Sequence, residues 1–149
     1  MTLAIDQAFT DTILNGGLNI DLVHENGLYS TWGGASYTEG LEGPYTPGSG
    51  TTGFAELTHF PASIDPLTLN DTDEATGLYQ IIVKYPADSG SIAAKTKADE
   101  VLALFPIGTA ITYGVQKVYP TSKSLSSGRD DGGFYQITVR VNYRAFLTR

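Results

Sequence analysis

The sequence has no cysteine, one methionine, one tryptophan and only two histidines in 149 residues. Without cysteine there are no disulfides and no thiolate metal ligands, which sets the chain apart from small secreted scaffolds. Such a chain folds in a reducing cytosol or has no need of redox chemistry. Charge is sparse as well, at 17% of residues, with a net charge of −7. Lys and Arg are missing altogether before Lys84, whereas eleven carboxylates precede it. No apolar run is long enough to span a bilayer. Met1 leads into Thr2, Leu3, Ala4, Ile5 and Asp6 without a basic segment, so neither a signal peptide nor a membrane partner is expected.

What is present fits one domain over 1–149, rich in short strands and turns. Glycine is abundant at 17 residues, and nine tyrosines dominate the aromatic set. From Lys84 onward, nine basic residues face five acidic ones. That split suits head-to-tail association of an acidic face with a neighbour's basic face. It equally suits a fold in which the two halves interleave and their charges intersperse.

Periodicity predicts a helix over 2–15 with Ile5, Phe9 and Ile13 inward, closed by Asn15-Gly16-Gly17. Asp6 falls near its first turn, where a carboxylate favours the helix dipole. A short strand follows at Ile20 to His24. Residues of about 26–53 form a Gly/Tyr-rich arm or loop, with some strand at Leu28 to Trp32. A loop that long in a small domain is functional, disordered or conceals a hairpin. Phe54 to Phe60 reads as a strand ended by Pro61, and Ile64 to Thr76 as a polar turn region.

Leu78 to Tyr85 and Phe134 to Phe146 alternate most cleanly. The echo of Gly77-Leu-Tyr-Gln-Ile-Ile-Val-Lys84 in Gly133-Phe-Tyr-Gln-Ile-Thr-Val-Arg140 predicts two strands of one sheet with the Tyr-Ile-Val face buried. Their opposite faces place Gln80, Lys84, Gln136, Arg140 and Arg144 on one polar surface. That surface is either a solvated sheet face or one turned to a neighbour or to a DNA-filled channel. Between these strands, a second helix presents Ala94, Ala98, Val101, Leu102 and Phe105 inward and ends at Pro106. Ala110 to Tyr119 reads as a strand, and Pro120 to Gly133 as a polar loop. The class is α+β: a mixed, mostly antiparallel sheet of about five strands backed by two helices.

Catalytic patterns are lacking. His24 and His59 stand apart without metal-ligand spacing, and each reads as a strand residue with a hydrogen bond. Asp71-Thr-Asp73-Glu74 lacks the glycine and later ligands of a calcium loop and reads as a solvated turn. There is no phosphate loop, dinucleotide fingerprint or nucleophile elbow. Asn70-Asp71-Thr72 matches a glycosylation acceptor only in form. The acidic chain without a basic run leaves at most a transient, sequence-independent DNA contact through Lys84, Arg140 and Arg144. No enzyme activity, metal or cofactor is expected.

The order of several motifs is familiar. After the N-terminal helix and Glu25-Asn26 comes Tyr45-Thr-Pro47-Gly-Ser-Gly-Thr-Thr-Gly-Phe54-Ala-Glu-Leu57, running to Phe60-Pro61. Then follow Gly77-Leu-Tyr79-Gln-Ile, Ala98-Asp99 with Ala103-Leu-Phe105-Pro106, and Gly133-Phe-Tyr135 through Val141-Asn-Tyr143-Arg144. Across nearly the whole chain this resembles the tail-terminator family of long-tailed phages, although the stretch from Asn26 to Pro44 is longer than the family's usual connection. The resemblance implies a structural virion protein, assembled in the host cytoplasm, at the head-proximal end of the tail. It implies a six-membered homo-oligomeric ring whose partners are the tail tube protein and a head-completion or stopper protein.

For the ring contact, acidic Glu39, Glu42, Asp71, Asp73 and Glu74 are expected to approach Lys117, Lys123 or Arg129 of the next subunit. Trp32, Tyr37 and Tyr45 of the arm form a second candidate contact, or else fold back on their own sheet. Rival readings are a head–tail stopper, a tube subunit and, more distantly, a host-surface or glycan-binding module.

Overall fold

The computed structural model describes residues 2–17, 20–25, 28–30, 32–33, 36–37, 42–44, 53–69, 71–87, 91–126 and 128–148, with backbone alone between 28 and 44. Helix α1 (Thr2–Leu14) is followed by strands β1 (Asp21–Val23), β2 (Leu28–Ser30), β3 (Trp32–Gly33), β4 (Ser36–Tyr37) and β5 (Glu42–Pro44). Next come β6 (Phe54–Pro66), β7 (Thr72–Pro86) and helix α2 (Ser91–Ala103). The chain closes with β8 (Ile111–Tyr113), β9 (Gln116–Leu125), β10 (Arg129–Asp131) and β11 (Phe134–Thr148).

Among the described residues, one nine-stranded sheet runs β5-β2-β1-β6-β7-β11-β9-β8, with β10 also pairing β11. Only β1 and β6 pair in parallel; the remaining pairs are antiparallel. The class is α+β as expected, with more strands than five. Part of the arm is strand: β2 and β5 extend the main sheet, and β3 and β4 form a small hairpin of their own.

The sheet is organised by β7 and β11, which pair without a break from Phe134↔Pro86 to Thr148↔Thr72. Because strand side chains alternate, this register stacks Tyr79, Ile81 and Val83 with Ile137, Val139, Val141 and Tyr143 on one face. All seven are buried. Both helices cover that face. Ile5, Ala8, Phe9 and Ile13 of α1 and Ala94, Ala98 and Val101 of α2 are essentially inaccessible to water. α1 touches β6 on one side and β8 and β9 on the other, so the sheet curls around it. The Phe9 ring is central. It stacks on Tyr79 at 4.6 Å and 5° and meets Phe105 and Tyr143 at 5.4 Å each.

Four expectations change. β6 continues past Pro61 to Pro66, with a register irregularity between Pro61 and Ser63, so residues 64–76 are mostly hairpin arms and not a turn region. β1 flanks β6 only opposite Phe54 to Glu56, which leaves Pro61 where no amide is required on that side. The strand expected over 110–119 is two strands joined at Gly114-Val115. The expected loop from Pro120 holds the rest of β9 and then β10, end to end along the same edge of β11. Gly132 and Gly133 both have positive φ, 59° and 88°, and so close the tight β10–β11 turn that side chains would disfavour.

Gly77 lies opposite Tyr143, and a Cβ there would sit 2.5 Å from the Tyr143 hydroxyl and 2.8 Å from the Phe60 carbonyl oxygen. Gly77→Ala is therefore predicted to cost about 1–3 kcal/mol by overpacking. Phe9→Ala is predicted to cost about 3–5 kcal/mol through the cavity it opens. Equilibrium denaturation measures both, and a loss under 1 kcal/mol for Phe9→Ala would contradict its central position.

Candidate functional site

Polar groups widely separated in sequence converge where α1, β6 and β11 meet. His59, on the inner side of β6, shares a 2.6 Å hydrogen bond between Nε2 and the Tyr143 hydroxyl. Burial pushes the Tyr143 phenol up to about 12, so it stays protonated, and the tautomer of His59 sets which of the two groups donates. The Glu25 carboxylate accepts from the His59 backbone N–H at 2.5 Å. Thr10 on α1 bonds the Tyr79 hydroxyl at 3.2 Å.

Asp6 belongs to this cluster. It sits beyond the first turn of α1, so its environment is the cluster and not the helix dipole. Burial raises its pKa, against an opposing effect from His59. Burial likewise lowers the pKa of His24 and His59, with Asp6 pulling each back up. Through Thr10 and Tyr79 α1 is tied to β7, and through Glu25 the end of β1 is tied to β6. Among the described residues no set of His, Asp and Glu is placed to hold a metal ion.

The outer face of the sheet is where the remaining candidates lie. Lys84 pairs with Glu56 at 3.1 Å and lies over the Phe54 ring. Arg144 pairs with Glu74 at 3.1 Å, and Arg140 donates to Gln80 at 3.3 Å. Both ion pairs join an acidic residue of the first half to a basic residue of the second, so here the two halves interleave. Gln136 is a correction. It shares this face but is only 7% exposed, with Arg129 folded over it. With its amide oxygen turned toward Arg129, it accepts from Nε at 3.1 Å and Nη2 at 3.2 Å.

The residues expected at a subunit contact are spread out. Asp71 sits at the β6–β7 turn, where its carboxylate accepts from the Thr68 hydroxyl at 2.6 Å. Asp73 and Glu74 begin β7. Lys117 is exposed on β9, whereas Lys123 donates to the Leu102 carbonyl at the end of α2 at 2.8 Å. Glu39 and Tyr45 lie outside the described residues, and for Trp32, Tyr37 and Glu42 the backbone alone is described, within β3, β4 and β5.

Two apolar features were not anticipated. One is the β6–β7 hairpin, where Ile64, Leu67 and Leu69 are 50%, 51% and 94% exposed. The other is a pocket of about 400 Å³ on the outer face, formed by Tyr119, Pro120 and Thr121 of β9, Arg144 and Phe146 of β11, and the loop at Ile107-Gly108.

The chain belongs to the phage tail terminator family, whose model matches residues 16–143. No curated protein sequence matches the chain. A solved structure with 19% sequence identity shares its fold at a TM-score of 0.67, over 95% of this chain and 92% of that one. Family membership makes the protein a structural component of the phage tail. No helix among the described residues is long and apolar enough to cross a membrane.

The histidine cluster generates a pH prediction. Because His24 and His59 have lowered pKa values in the fold, stability present above the unfolded value of 6.5 is lost as pH falls through the folded values. Asp6, raised from 3.8, acts oppositely: its contribution is present below 3.8 and lost as pH rises through the raised value. Tm should therefore fall on acidification from pH 7.5 to 5.5, and less steeply in His59→Gln. Parallel Tm profiles for the two proteins would remove His59 from the account.

Proposed function

We propose that the chain forms a six-membered ring that caps the head-proximal end of the tail tube, ends its polymerisation and provides the surface that head-completion proteins join. Membership of the tail terminator family is the observation that carries this reading. Mechanism here is binding. An interface made of two different patches, repeated by rotation, closes as a ring, whereas a self-complementary patch closes as a dimer.

The distribution of charge supports unlike patches. The segment from Asp65 to Glu74 carries four carboxylates and no Lys or Arg, while Lys117 and Arg129 lie exposed near the other edge. Lys123 is already engaged with α2 and Arg129 lies over Gln136, so Lys117 is the better candidate for meeting Asp71 or Asp73 of a neighbour, with exposed Arg129 second. Contact with DNA passing through the ring is sequence-blind at most, since Lys84 and Arg144 are paired within the face that bears them. The partners implied are the tube protein below and a stopper or head-completion protein above.

Electron microscopy of particles assembled without this protein tests the reading. Overlong or ragged tubes without heads are expected. Tails of normal length that fail to join heads would favour a stopper, absence of any tube would favour a tube subunit, and intact infectious particles would overturn a structural role. For the ring itself, reversing Lys117 and Arg129 to Glu together should shift native mass spectra from the ring toward smaller species while circular dichroism stays unchanged. An unaltered assembly would remove those two cations from the interface.

A further inference from the structure

We infer that the β6–β7 hairpin tip of one subunit seats in the outer-face groove of the next, an inference that rests on the ring reading above. The tip is preformed. The amides of Leu67 and Thr68 both donate to the Thr72 carbonyl, and the Thr68 hydroxyl accepts from the amides of Asp71 and Thr72. This bonding presents Leu69 at 94% exposure and Leu67 at 51%, with the carboxylates of Asp65, Asp71 and Asp73 close by in sequence. Single exposed leucines are ordinary, but two on one hydrogen-bonded turn form an apolar knob with three carboxylates within a few residues.

The groove is its counterpart in shape and sign. Its floor is the Tyr119 ring set against Phe146 at 6.2 Å, and its wall is Ile107, 58% exposed, from the loop after α2. Arg144 lies over Phe146 at 5.1 Å, with its charge already met by Glu74 of the same chain, so the rim's cation is Lys117. Exposed Lys117 lies two residues from Tyr119 on β9, on the same side of the strand. An apolar floor with a lysine at its edge fits an apolar knob with carboxylates nearby, and charge of the right sign fixes orientation as apolar contact supplies affinity. One chain bears both halves at different places. With each half engaging a different neighbour the contact repeats head to tail, as a ring requires, and the committed occupant of the groove is a second copy of this chain.

The absence of cysteine makes the contact directly testable. Leu69→Cys and Ile107→Cys are prepared as separate proteins, mixed, assembled and treated with a short bis-maleimide, both in solution and in tails. A crosslinked dimer containing one of each is expected, and a chain carrying both substitutions should give a ladder ending at the ring. Rings seen by native mass spectrometry without Leu69–Ile107 crosslinks would overturn the docking and leave the ring reading intact. So would crosslinks formed only between like cysteines, or only to the tube or head-completion protein. Chains that stay monomeric in solution and in tails would overturn both.

Discussion

The unbroken antiparallel pairing of β7 with β11 is the constraint on which the rest of the structure depends. With a period of two, one register sends Tyr79, Ile81, Val83, Ile137, Val139, Val141 and Tyr143 inward and leaves Gln80, Arg140 and Arg144 outward. A slip of one residue would exchange the faces and remove the surface on which α1 and α2 rest. Gly77 belongs to the same constraint. Its missing side chain leaves room for the Tyr143 ring, which then reaches His59 and ties the sheet to β6.

Magnitudes separate what holds the fold from what serves the surface. An aromatic such as Phe9, in contact with three other rings, contributes several-fold more than a surface ion pair, which is worth about 0.2–1 kcal/mol. The pairs Lys84–Glu56 and Arg144–Glu74 are of that weaker kind, with side chains partly exposed. The core therefore holds the fold without them, and the outer face is free to be shaped for recognition.

Much of the fold was legible in the sequence because its long elements obey strict periods. The two helices, the buried faces of β7 and β11 and their shared sheet all follow from residue spacing. What was not legible depended on context. Pro61 reads as a strand end, yet β6 runs on because β1 is too short to need its amide. The Ser-rich stretch after Pro120 reads as a loop, yet the edge of β11 recruits it as β9 and β10. Polar Gln136 reads as exposed until Arg129 folds over it. The cluster of Asp6, Glu25, His59 and Tyr143 has no local signature, since only long-range pairing brings its members together. The groove was unreadable for the same reason, as its residues come from a loop and two strands.

The role proposed for the chain is to be the last subunit layer that a growing tube accepts. Adding the purified chain to polymerising tube protein and measuring tube lengths by electron microscopy tests that claim most directly. The account predicts that substoichiometric amounts arrest growth, with one ring density at a single end of each shortened tube. Tubes that lengthen as before, or that incorporate the chain along their sides, would contradict it.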